Sequence, residues 1–112
     1  MVEILKYQGE EYPVKFGYYA IKMLQSSNKG KTIADLQEDY SLYESFLFYA
    51  MKKGHELEKI KFELKKADME NILEDTLFDQ VVPMIGRSFD ASVKVQEAGG
   101  KKSTLMSSQE SP

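Results

Sequence analysis

Apolar and polar positions alternate over the first sixteen residues, and then the period changes. In Val2–Tyr7 the side chains of Val2, Ile4 and Lys6 share one face and those of Glu3, Leu5 and Tyr7 the other, the two-residue repeat of a strand. Gln8-Gly9-Glu10 reads as a turn in which Gly9 supplies the positive φ of a tight hairpin. Tyr12, Val14 and Phe16 alternate with Pro13 and Lys15 in the return strand. Pro13 has no N–H to give to a ladder, so this strand is expected to lie at an open edge there. From Gly17 the spacing becomes helical, with Tyr18, Ile21 and Leu24-Gln25 in step and Ala20 and Met23 beside them. Ser26-Ser27-Asn28-Lys29-Gly30-Lys31 has loop composition and closes this helix.

The remaining periodic segments are helical as well. Thr32, with Asp35 three residues on, predicts a capping box and a short helix through Gln37 or Glu38, its Ile33 and Leu36 inward. Ser41 with Glu44 predicts the start of another. That helix is apolar nearly all round at Leu42, Tyr43, Phe46, Leu47, Phe48, Tyr49, Ala50 and Met51. Such a helix sits centrally in a core or shows a spare face to another protein. Gly54, after Lys52-Lys53, is the expected C′ residue. His55–Lys66 is heavily charged, with Leu57, Ile60 and Leu64 at one-stripe spacing, and reads as a helix or a partly extended connector. Asp68 is expected to cap a helix carrying Met69, Ile72 and Leu73, and Thr76 a last one with Leu77, Val81, Met84 and Ile85 inward. Pro83 predicts a kink or break there.

These elements predict a mainly α (α+β) fold: a β-hairpin over residues 1–16, then about four to five helices over 17–89, together a single globular domain. The small, polar segment 90–112 is expected to be a disordered tail. Composition narrows the function. The net charge is −3 with signs mixed along the chain, so no nucleic-acid footprint is visible. Lys52-Lys53 and Lys65-Lys66 read as solvated helix faces. Without cysteine, disulfides, thiolate metal sites and cysteine nucleophiles are excluded. Glu3 and Lys6 interrupt any apolar leader, so no signal peptide is expected, and no run is long enough to span a membrane.

Chemistry finds little foothold. The single histidine, His55, has no second His or Cys for a metal and reads as exposed or capping. Glu56, Glu58 and Glu63, and Glu70, Glu74 and Asp75, lie close in sequence but lack EF-hand spacing and read as solvated faces. Neither a P-loop nor a dinucleotide fingerprint occurs. The chain is therefore expected to be no enzyme, with no catalytic residues, metal or cofactor.

The pattern Ile4, Gly9, Tyr12-Pro13-Val14-Lys15-Phe16-Gly17, Ala20-Ile21 resembles the start of the tail assembly chaperones of long-tailed bacteriophages, where a short hairpin meets a helix at a Phe-Gly junction. Phe48-Tyr49-Ala50-Met51-Lys52-Lys53-Gly54-His55 resembles the family's central helix with its small-residue cap. Met69–Asp75 followed by Leu77–Ile85 resembles its closing acidic and apolar helices. The Gly54–Lys66 connector is long for that pattern. The resemblance implies a protein that binds the tape measure protein, keeps it soluble until tail tube protein assembles round it, and forms homo-oligomers. It implies action in the host cytoplasm and absence from the mature virion, without nucleic acid or membrane partners. Tyr12, Phe16, Tyr43, Phe46, Phe48 and Tyr49 are then the candidate partner-binding residues, although each taken singly reads first as core. Such chaperones are often made in a short and a frameshifted long form, and Gly-Lys codons such as those for Gly99-Gly100-Lys101-Lys102 can form a slippery heptamer; by composition the segment reads as an ordinary flexible tail. The alternative function is a small helical adaptor, a regulator or a virion connector with another protein partner.

Overall fold

The computed structural model describes residues 2–89; the tail 90–112, expected to be disordered, and its Gly-Lys run lie outside the described residues. The fold is mainly helical with an N-terminal β-hairpin. Strands β1 (Glu3–Tyr7) and β2 (Glu10–Val14) pair antiparallel, Glu3 opposite Val14 and Tyr7 opposite Glu10. The turn between them is two residues long, and both have positive φ, 52° at Gln8 and 78° at Gly9. That is the backbone sense that matches strand twist in a tight hairpin. Leu5 and Val14 are fully buried, so the Leu5 face is the inner one, while Ile4 opposite Pro13 lies on the other.

Both strands of this two-stranded sheet are edge strands, β2 at Pro13 as expected, and each edge is covered in part. Gln80 uses its side-chain amide as a third strand would: Lys6 donates its N–H to Oε1 at 2.8 Å, and Nε2 donates to the Lys6 carbonyl at 2.7 Å. With Lys6 facing outward, Glu3, Leu5 and Tyr7 carry the ladder, and Ile4–Pro13 is a non-bonded pair. The missing N–H of Pro13 therefore costs no ladder bond. Pro13 thus lies at an edge, as expected, but that edge is not open, because Pro13 is buried against a helix.

Helix α1 (Tyr18–Ser27) buries Ala20 and Leu24 and leaves Tyr18 outside, 79% exposed. Asn28 closes it, its backbone and side-chain N–H groups both donating to the Leu24 carbonyl. A 3-10 turn, Ile33–Gln37, follows with the expected capping box: Ala34 N–H donates to Thr32 Oγ1, and Thr32 N–H to Asp35 Oδ2 at 2.7 Å.

Helix α2 (Leu42–Glu58) is the axis of the fold. Its lead-in is capped by Asp39 rather than Ser41, which adopts helical dihedrals and donates both its hydroxyl and its N–H to Asp39 Oδ1, at 2.6 and 3.2 Å. The helix runs on past Gly54, contrary to the C′ reading. A Cβ at Gly54 would stand 2.4 Å from the Pro13 carbonyl oxygen and 2.6 Å from Val14 Cα. Glycine is there so that β2 can lie directly on the helix, and Lys15 N–H donates to the Ala50 carbonyl one turn earlier. The helix ends instead at Lys59, in the left-handed region at φ 60°. The Leu57–Ile60–Leu64 stripe consequently never forms, and Leu57 and Ile60 are exposed. His55 is neither exposed nor a cap. It is buried, its Nδ1 is 2.7 Å from the Met51 carbonyl, and its ring lies between those of Tyr12 and Phe62.

Residues 60–65 are non-helical. Asp68 Oδ2 then accepts from Lys65 N–H at 2.7 Å and starts a 3-10 turn, Lys66–Asp68, that runs into α3 (Met69–Thr76). Thr76 does not begin a new helix; its hydroxyl donates back to the Ile72 carbonyl at 2.8 Å. The chain continues through a widened π turn, Leu77–Val81, into the helical residues 82–89. Pro83 neither breaks nor ends this helix. In a regular α-helix its ring would collide with the carbonyl of Asp79 and leave that acceptor unpaired. The π turn precedes it, with Val82 N–H reaching five residues back to the Leu77 carbonyl.

Phe46, fully buried, lies between Phe16 (centroids 5.1 Å) and Phe89 (6.4 Å, parallel). Leu5, Leu24, Leu47, Met51, Met69 and Val81 complete the centre, so both strands and all the helices contribute to one core, while the turn Lys66–Asp68 does not.

Candidate functional site

Of the six candidate partner-binding residues, three are core. Phe46 is inaccessible, Phe16 is 5% exposed and Tyr43 8%. Tyr12, Phe48 and Tyr49 are half-buried, and their faces are largely used within the chain. Phe62 packs on Phe48 at 5.5 Å, Tyr19 on Tyr49 at 6.1 Å edge-on, and Tyr49 Oη hydrogen-bonds Ser27 Oγ at 3.1 Å. Lys66 Nζ stands 6.0 Å from the Phe48 centroid and 5.2 Å from that of Tyr49, and Lys53 Nζ 5.4 Å from Tyr19. The spare apolar face of α2 is thus covered by the connector and by lysines of the same chain.

Exposed apolar side chains occur singly at Ile4, Tyr18, Leu57 and Ile60, and two exposed rings meet where the first turn of α2 faces α3 and the π turn. Tyr40 and Phe78 are 56% and 71% exposed and touch edge-on at 6.4 Å. Tyr40 also packs edge-on against Tyr43 at 5.7 Å. Beside this pair runs a groove of about 280 Å³ floored by Tyr43, Leu73 and Leu77. Leu73 and Leu77 stand four residues apart and so face the same way. Glu44, Glu70 and Glu74 line the groove too, and among the described residues no cationic side chain does. Burial pushes the Tyr43 phenol above its ordinary pKa, and the neighbouring Tyr40 adds to that. A second, smaller groove of about 220 Å³, between Ile33, Val82, Ile85 and Phe89, shares Tyr43.

Sequence reading missed Tyr40 and Phe78, but a signal existed for one. Phe78 falls off the inward set Leu77, Val81, Met84 and Ile85, and a phenylalanine off the stripe of an otherwise amphipathic helix is placed to meet solvent or a partner. Tyr40 sits in a loop where no period applies. Among the described residues, no group of three or more His, Cys, Asp or Glu side chains is placed to hold a metal ion, and no helix is long and apolar enough to cross a membrane. Chemically, the site offers apolar contact, ring edges and negative charge. No protein-family model matches the chain, and comparison with curated proteins and with solved structures gives no match.

Proposed function

We propose that this chain is a protein-binding helper of the tail-assembly-chaperone kind, one that covers apolar helical segments of a tape measure protein before tail tube protein assembles round it. The observation that carries this reading is the pair of mostly exposed aromatic rings, Tyr40 and Phe78, above an apolar groove. Large apolar groups gathered at the surface of a small domain cost solubility and mark an interaction surface. The sequence resemblance over the hairpin, the central helix and the closing helices supplies the kind of partner.

This reading expects a long, tape-measure-like frame just downstream of this chain's gene, and the test is co-expression with its product. The wild-type chain should raise the soluble fraction of that protein. Phe78→Asp should abolish the rise while circular dichroism and thermal midpoint stay near wild type, since Phe78 contributes little to the core. Phe46→Asp serves as the unfolding control, because that residue is inaccessible. Stoichiometric recovery of the chain from purified virions would instead favour a structural connector.

A further inference from the structure

We infer that the groove between α2 and α3 takes a helical segment whose apolar residues are flanked by lysine or arginine. This rests on the reading of the chain as a helix-binding protein, and adds where such a helix docks and what charge it carries.

The charge argument comes from the groove itself. Three carboxylates, Glu44, Glu70 and Glu74, border an apolar floor, and no lysine or arginine among the described residues lines it to neutralise them. Glu70 and Glu74 are exposed and one helical turn apart on α3, so their charges repel, and a bound cation relieves that repulsion. A partner with acidic flanks would add to it. The shape argument comes from the backbone. An added strand would need a free sheet edge, but Gln80 occupies the β1 edge at Lys6, and α2 lies against β2 at Pro13. What remains is a trough between two helices, which receives the side-chain ridge of a third. Tyr40 lines the trough with Leu73 and Leu77, and Phe78 packs edge-on against Tyr40, which extends the exposed ring surface beside it.

The experiment uses the full chain and two labelled synthetic helical peptides with the same leucine stripe, one flanked by lysines and the other by glutamates. Fluorescence anisotropy should show the lysine peptide binding about tenfold more tightly, with the preference shrinking in high salt. Glu70→Lys with Glu74→Lys, both at exposed positions, should reverse the order of the two peptides. Phe78→Ser should weaken both peptides by a similar factor and leave the order unchanged. Circular dichroism and denaturation midpoints identify any variant that has lost its fold, and the wild-type comparison of the two peptides stands without variants. Equal affinity for the two peptides overturns the inference. So does binding of neither, whether a second copy or the chain's own C-terminal segment fills the groove. Because the peptides replace the natural client, either failure leaves the co-expression result intact as a separate measure of chaperone activity.

Discussion

At Gly54 two local rules compete with one long-range contact. A glycine after two lysines is a good helix terminus, and glycine within a helix costs about 1 kcal/mol relative to alanine. The helix nevertheless continues, because β2 lies against this position at a distance no Cβ tolerates. Gly54→Ala should therefore destabilise the protein by about 2 kcal/mol, since overpacking against backbone outweighs the propensity gain. A lowered urea midpoint with unchanged m-value would show it; a raised midpoint would mean that propensity wins. Asp39 offers a second test. The Ser41 hydroxyl, with its backbone N–H and more distantly Lys31, holds the Asp39 carboxyl below its ordinary pKa. An aspartate depressed in the folded state stabilises above its unfolded pKa, about 3.9. That contribution is lost as pH falls through the lower, folded value. The carboxyl resonance of Asp39 should titrate below the unfolded midpoint, and Ser41→Ala should move it back up. Neither residue's role was fully legible in the sequence. The Thr32–Asp35 box was, because both partners lie within one turn and the chemistry is local. At Ser41, two neighbouring oxygens could each serve as the cap, and local spacing does not choose between them.

Elements were easier to read than their ends. The two-residue period of the hairpin and the long apolar helix emerge from patterning, because burial on one face imposes it. The end of α2 does not, because Lys59 adopts a left-handed conformation that its type disfavours. The last helix was expected to be two pieces. Instead a π turn lets one helix carry Pro83 and brings Gln80 to the edge of β1. That clamp couples two elements far apart in sequence, so no local pattern announces it. Gln80→Ala should remove two hydrogen bonds, each worth about 1 kcal/mol net. The amide of Lys6 should then exchange with solvent markedly faster, as hydrogen-exchange spectra would record. Unchanged protection would mean that the strand holds that amide without help. Of the six candidate binding residues, aromatic character alone could not separate core from surface. Phe46 and Tyr43 lie inward, and Phe48 and Tyr49 are sheltered by the connector that sequence left between helix and extended chain.

At the scale of the molecule, two surface regions differ in the charge they carry beside apolar groups. Lys53 and Lys66 lie over aromatic rings on one, and Glu44, Glu70 and Glu74 border the groove on another. The core draws on both ends of the described chain. Leu5 from the first strand is buried with Val81 and Met84 from the last helix, and Arg87 pairs with Glu3 across the surface. A chain stopped at Asp79 should thus fail to fold rather than form a smaller domain, because it loses these contacts and the Gln80 clamp together. Its circular dichroism should lack a cooperative thermal transition; a sharp transition would show that the first 79 residues suffice.

The same clamp has a consequence for how the protein is made. Gln80 lies 74 residues after Lys6, so the first strand leaves the ribosome long before the amide that closes its edge. Until the final helix clears the exit tunnel, the nascent hairpin carries an unpaired backbone edge and an uncovered Leu5. Closure of that edge therefore waits for residues made much later than the hairpin itself. The period of exposure is set by translation speed between Lys6 and Gln80, where slow codons would lengthen it and fast ones shorten it.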